Sequence, residues 1–75
     1  MADDGFVRVE IGLDGGQILS VLVTPASADA LEEALVAGVP GALALQVQEG
    51  NILLMLSRVL YAKRFARETR VGFEA

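Results

Sequence analysis

The sequence predicts a single α+β domain in the order ββαβββ, with a twisted antiparallel sheet of four or five strands and one helix packed on one face. Apolar residues alternate with polar residues in the segments that begin at Phe6, Gln17 and Ala42, which is typical of half-buried strands. A segment near residue 30 instead has helical spacing between clear start and stop signals. With 75 residues there is room for one hydrophobic core. We therefore expect a tail over residues 1–5 and one domain over residues 6–75.

The first hairpin is predicted from an alternation that a turn interrupts. One strand begins near Phe6, and its inward side chains are Val7, Val9, Ile11 and Leu13. Asp14-Gly15-Gly16 supplies residues that tolerate a positive φ in a tight turn. A second strand then runs from Gln17 to Thr24, with inward side chains Leu19, Val21 and Val23.

A short helix is predicted between the two hairpins. Pro25 ends the sheet, and Ser27 is a favourable N-cap for a helix from about Ala28 to Ala37. Its apolar stripe consists of Leu31, Ala34 and Leu35. Gly38 ends the helix, since glycine readily adopts the left-handed conformation of a helix C-terminus.

The second hairpin contains the most informative stretch of the chain. A third strand over Ala42–Gln48 is followed by the turn pair Gly50-Asn51 and a fourth strand over Ile52–Leu56. These last five residues are all apolar, so the fourth strand has no polar face and needs cover on both sides. Because the chain offers one short helix as cover, we expect another molecule to cover the second side.

The segment over residues 58–68 fits either a strand or a helix. As a strand it places Tyr61, Lys63 and Phe65 on one face, whereas as a helix Ser57 would be its N-cap. Gly72 predicts that Arg70 to Glu74 is a separate extended piece in both cases.

Five short motifs resemble a small, mostly actinobacterial family of domains of unknown function that ends in Arg-Val-Gly-Phe. They are Val9-Glu10-Ile11-Gly12, Ala26-Ser27-Ala28-Asp29-Ala30-Leu31, Ala42-Leu43-Ala44-Leu45, Arg58-Val59-Leu60-Tyr61 and Arg70-Val71-Gly72-Phe73. The resemblance implies the hairpin–helix–hairpin fold, a strand over residues 59–66, and a bacterial, cytoplasmic setting. It implies no activity. The chain departs from the family at Ala62-Lys63-Arg64-Phe65, where the family is β-branched and acidic.

The composition favours association over catalysis. The chain has no histidine and no cysteine, which excludes Ser–His and Cys–His nucleophilic sites, disulfides and cysteine–histidine metal sites. Apolar residues make up 53% of the chain, which is more than one small core hides. We expect no enzyme activity and no cofactor. The longest apolar run is far below the roughly 20 residues that a membrane-spanning helix needs, so we also expect no membrane partner.

The working hypothesis is a non-enzymatic, homo-oligomeric protein–protein interaction module in the cytoplasm. A homodimer is the first choice and a closed ring the second. The predicted contact residues are large apolar or aromatic side chains, the kind that dominates interface energetics: Leu54, Leu56, Tyr61 and Phe65. If the atoms of a single protomer enclose both Leu54 and Leu56, this case for self-association fails.

The alternative hypothesis is nucleic-acid or anion binding by the basic C-terminal segment. Five of the six basic residues lie there, namely Arg58, Lys63, Arg64, Arg67 and Arg70. The net charge of −4 opposes the approach of a polyanion, so nucleic acid is the less favoured partner. Lysine and arginine on an edge strand also have a simpler explanation, because they prevent uncontrolled pairing with other strands.

Overall fold

The computed structural model describes residues 5–65, and within them the predicted order ββαβββ is confirmed. The strands are β1 (Val7–Leu13), β2 (Ile18–Val23), β3 (Ala42–Val47), β4 (Gly50–Met55) and β5 (Val59–Arg64), and the helix is α1 (Pro25–Ala37). The open choice over residues 58–68 is settled for residues 59–64, which form a strand. The predicted tail apart from Gly5, and the predicted extended piece from Arg70 to Glu74, lie outside the described residues.

All five strands form one antiparallel sheet in the order β4-β3-β2-β1-β5. β1 pairs along its length with β2 and with β5, and β3 pairs along its length with β4. β2 and β3 pair only at Val23 and Val47, beside a hydrogen bond of 3.0 Å from the Thr24 N–H to the Gln46 carbonyl. The β3–β4 hairpin is therefore attached to the other three strands at one end and can turn away from them.

The sheet is strongly curled, because its two edge strands follow each other in sequence. Leu56–Arg58, a single turn of 3-10 helix, connects β4 to β5. The edges of a flat five-stranded sheet would lie about 19 Å apart at the usual strand spacing. The connection from Met55 at the end of β4 to Val59 at the start of β5 is only four residue steps long and spans at most about 14 Å. The sheet must therefore bend, and it has an inner face around the core and an outer face away from it.

The core lies between the inner face and α1. Its members come from every strand except β5 and from the helix and the connection after β4: Val9, Ile11, Val23, Ala28, Leu31, Leu45, Leu54 and Leu56. The predicted inward positions of β1 and β2 all belong to this core or pack against it, apart from Val7, which is half-buried. The inward positions of β3 expected from its alternation, Leu43, Leu45 and Val47, do so as well. The predicted stripe of α1 does so too.

The start of α1 differs from the prediction. Thr24, not Ser27, is the N-cap, and its hydroxyl accepts a hydrogen bond of 3.1 Å from the Ser27 N–H. Pro25 is then the first helical residue, a position that needs no N–H donor. The predicted end is confirmed, since Gly38 has a φ of 70° and its N–H bonds back into the last turn.

The turn of the second hairpin also differs from the prediction. Gln48 and Glu49 form it, and the strand β4 already begins at Gly50, which pairs with Val47. Gly50 has a φ of 146°, a conformation that strongly favours glycine. The glycine therefore marks the first strand residue after the turn, and Leu56 falls in the connection after β4.

Candidate interface on the outer face of the sheet

The predicted contact residues separate into two groups. Leu54 and Leu56 are only 5% and 7% exposed and lie in the core of the protomer, so their assignment to an interface was wrong and the case for self-association that rested on them fails. Tyr61 is 44% exposed on the outer face, and Phe65, four residues further along the chain, is half-buried. The protomer itself therefore covers the inner side of the apolar run.

The outer side of the same run is bare within the described part of the chain. Leu53 is 71% exposed and Met55 is 53% exposed, because successive side chains of a strand point to opposite faces. The apolar run was predicted correctly, but its exposed residues are Leu53 and Met55 and not Leu54 and Leu56. The missing signal was the register with β3, which places Leu53 opposite Ala44 and Met55 opposite Ala42.

These four residues form a continuous apolar surface, which we call the hairpin patch: Ala42, Ala44, Leu53 and Met55. Both alanines are exposed, and each lies directly across the ladder from a large apolar side chain. The small alanine side chains leave Leu53 and Met55 standing above their surroundings. A patch of this shape presents two large side chains to an incoming surface.

The two edge strands differ in how they are protected. No residue from Gly50 to Met55 in β4 is charged, whereas β5 carries Lys63 and Arg64. Charged side chains on an edge strand discourage pairing with another strand, and an uncharged apolar edge invites it. Among residues 5–65, β4 has a strand partner on one side only.

Tyr61 belongs to a contact within the protomer. It lies opposite Gly12 in the β1–β5 ladder, and a Cβ atom at Gly12 would overlap the Tyr61 ring. Its hydroxyl donates a hydrogen bond of 3.1 Å to Glu10 Oε2. That bond to a carboxylate favours the neutral phenol and raises the pKa of Tyr61 above its usual value of 10.0.

Phe65 is held between two cations on the same outer face. The guanidinium carbon of Arg8 lies 5.0 Å from the ring centroid, and Lys63 Nζ lies 4.8 Å from it. Both distances are within the range of cation–π attraction. The Phe65 N–H also donates a hydrogen bond of 3.0 Å to the Arg8 carbonyl, which extends the pairing of β5 with β1 by one residue.

The basic residues predicted to contact an anion do not form a common surface within the described chain. Arg58 pairs with Asp14 at 3.0 Å at the turn of the first hairpin. Arg64 points to the inner side, where it pairs with Asp29 at 2.7 Å and lies 3.6 Å from Glu32.

The hydrogen bond to Asp29 is the main reason why the pKa of Arg64 is raised, and the charge of Glu32 raises it further. Lys63 faces the opposite way, and Arg67 and Arg70 lie outside the described residues.

Two clefts of the described chain border the sheet. A cleft of about 460 Å³ lies where β2 and β3 diverge, and its polar lining includes Arg8, Ser20, Gln48 and Glu49. A groove of about 350 Å³ between α1 and β5 is lined mainly by apolar side chains. Residues 5–65 contain no group of three or more acidic residues arranged to hold a metal ion.

The described chain contains no helix that is both long and apolar enough to cross a membrane.

Comparisons with protein-family models, with curated proteins and with solved structures find no match to this chain.

Proposed function

We propose that this chain is a non-enzymatic interaction module that associates with copies of itself through the hairpin patch, with a homodimer as the first assembly. The single observation that carries the proposal is the exposure of Leu53 and Met55 on an uncharged edge strand. Contiguous exposed apolar surface is typical of a protein–protein contact. The resemblance noted in the sequence supports extending the proposal to a bacterial, cytoplasmic protein.

The energetics of the hairpin patch allow only a weak dimer. Fully burying one Leu or Met side chain contributes about 1.5–3 kcal/mol, but Leu53 and Met55 are already partly covered, with 71% and 53% of their surface exposed. Covering all of this exposed surface in both copies would contribute at most on the order of 4–7 kcal/mol, which is at the low end of the 4–15 kcal/mol that association costs. The hairpin patch alone therefore gives weak association, and backbone hydrogen bonds across the contact would strengthen it.

The proposal assigns no catalytic role. A general base that works near neutral pH is most often histidine, and the chain has none. The exposed carboxylates of α1 are directed at solvent or at Arg64. Their arrangement supports a structural ion pair on the inner side of β5.

Nucleic-acid binding is the weaker candidate, because Arg58 and Arg64 lie in separate ion pairs with carboxylates and Arg64 faces away from Lys63. If it occurred, retention on immobilised nucleic acid would fall steeply as the salt concentration rises, since phosphate contacts release counterions. We expect no retention even at low salt.

The test compares two substitutions at exposed apolar positions by light scattering. Leu53→Lys places a charge in the hairpin patch and should reduce the average mass to that of a monomer. Val36→Lys is the matched control, because Val36 is 86% exposed on α1, which packs on the inner face of the sheet, opposite to the patch. It should leave the average mass unchanged, and circular dichroism should show both variants folded. Equal masses for Leu53→Lys and the unmodified chain would contradict the proposal.

A further inference from the structure

We propose that two copies join by antiparallel pairing of their β4 strands, edge to edge, about a two-fold axis at Leu53. The inference rests on the proposed self-association and specifies its geometry. The two sheets would then continue into each other, with the hairpin patches side by side, so that Leu53 and Met55 meet the other copy along the shared edge and keep their outer surfaces open.

The backbone N–H and C=O groups of β4 point alternately toward β3 and toward the open edge of the sheet. The Leu56 N–H donates a hydrogen bond of 2.9 Å to the Gly41 carbonyl, so the backbone of residue 56 faces β3. Alternate residues of a strand direct their N–H and C=O groups to the same side. Leu54 and Ile52 therefore also bond toward β3, opposite Leu43 and Leu45.

The intervening residues Asn51, Leu53 and Met55 direct their N–H and C=O groups away from β3. No strand among residues 5–65 pairs with that side of β4. Each of the three residues offers one donor and one acceptor, the pattern that a new antiparallel strand requires. A second β4 strand carries the same pattern and is complementary to it.

A two-fold axis restricts the register in which the two β4 strands can pair. With the axis at Leu53, this residue lies opposite Leu53 of the second copy, and Asn51 lies opposite Met55. All three side chains are on the outer face, so the contact pairs leucine with leucine at its centre. The pairing is isologous, as a two-fold interface requires.

Opposite charges lie at the two ends of β4. Glu49 immediately precedes the strand and Arg58 closely follows it. Antiparallel pairing brings Glu49 of each copy to the end where Arg58 of the other copy lies, whereas parallel pairing would place like charges together. Arg58 stays accessible for this contact, since its ion pair with Asp14 is at the surface.

The other edges of the sheet are less suited to a second copy. β5 carries Lys63 and Arg64 at one end and follows Arg58 at the other, so a symmetric antiparallel contact there would bring cations of the two copies together. β2 is unpaired on one side from Ile18 to Leu22, but the β3–β4 hairpin stays joined to it at Val23, and the turn residues Gln48 and Glu49 line the cleft beside it. β4 is the uncharged edge of the described sheet.

Single-cysteine variants test the pairing cleanly, because the chain has no native cysteine. Residues opposite each other in a hydrogen-bonded antiparallel pair have Cα atoms about 5.5 Å apart, within the range of a disulfide. Leu53→Cys should therefore form a covalent dimer under mild oxidation. Leu60→Cys is the matched control, since Leu60 is 70% exposed on the opposite edge strand, and it should crosslink far more slowly. Faster crosslinking at residue 60 would overturn the pairing.

Amide hydrogen exchange tests the same geometry on the unmodified protein. The N–H groups of Leu53 and Met55 should become protected as the protein concentration rises. Their exchange should slow in proportion to the ratio of dimer to monomer. Exposed amides at these positions in a sample that light scattering shows to be dimeric would overturn the β4 pairing and leave self-association standing. A monomer at every concentration would overturn both. Protection of these amides in a sample that light scattering shows to be monomeric would show that the chain covers its own edge, and it would also overturn the pairing.

Discussion

At the scale of single residues, Gly12 and Tyr61 depend on each other across the β1–β5 ladder. The Tyr61 ring occupies the space where a side chain at residue 12 would lie. We expect Gly12→Ala to displace the ring, break its hydrogen bond to Glu10 and lower the free energy of unfolding by about 1 kcal/mol, as overpacking does. Urea denaturation measures the change.

Gly5→Ala is the control for that substitution, because a Cβ atom there meets nothing within 4 Å. In the background of Tyr61→Ala, Gly12→Ala should cost much less. Equal costs in both backgrounds would show that the ring is not the cause.

The titration of Tyr61 is a second prediction at this scale. Its hydrogen bond to Glu10 raises its pKa, so the folded state holds the phenolic proton more tightly than the unfolded state does. The resulting stabilisation is complete below the unfolded pKa of about 10 and is lost as the pH rises through the folded pKa. Tyr61 is the only tyrosine and the chain has no tryptophan, so ultraviolet absorbance reports its ionisation directly.

Glu10→Gln removes the carboxylate and should lower the pKa of Tyr61 toward its ordinary value. Asp14→Asn, which lies on the same strand–turn unit but pairs with Arg58, should leave the titration unchanged. A titration midpoint that is the same with and without the Glu10 carboxylate would contradict the assigned cause.

At the scale of secondary-structure elements, Ser27 fastens α1 to β3. Its hydroxyl accepts a hydrogen bond of 2.8 Å from the Gln46 N–H and another of 3.0 Å from the Thr24 hydroxyl. Ser27→Ala leaves the Gln46 N–H without this acceptor, which costs roughly 1–3 kcal/mol of stability. Thermal denaturation should show the loss, and Ser20→Ala on the exposed surface of β2 should show almost none. A loss as small as that of the control would mean that water replaces the Ser27 hydroxyl.

The role of Ser27 also shows which details of an element a sequence can predict. The helix, its apolar stripe and its end at Gly38 follow from local patterns and are present. Both Thr24 and Ser27 are good capping residues, and Pro25 decides between them by its fitness for the first helical position. The bond from Gln46 to Ser27 joins residues far apart in sequence, so no local pattern could indicate it.

The same distinction explains the outcome for the apolar run in β4. Its length correctly indicates a strand with two apolar faces, and Leu53 and Met55 do lie bare on the outer face. Which alternate residues face the core depends on the register with β3 and on the curl of the sheet. Both are set by long-range contacts, so the prediction placed Leu54 and Leu56 at the surface when they belong to the core.

At the scale of the whole molecule, the curl of the sheet separates what the protomer can cover from what it cannot. The inner face encloses the core together with α1, while the hairpin patch stays on the outer face. Substitution of the two neighbours in β4 should therefore have opposite consequences. Leu54→Ala should destabilise the fold by about 2–5 kcal/mol, as for other buried leucines. Leu53→Ala should leave the fold of the protomer intact and weaken association.

The central claim is that the chain associates through β4, and its most direct test is the mass of the unmodified protein in solution as a function of concentration. Sedimentation equilibrium should show the average mass rising from that of one chain to that of two, and Leu53→Lys should abolish the rise. A mass that stays at one chain up to millimolar concentration would contradict the account.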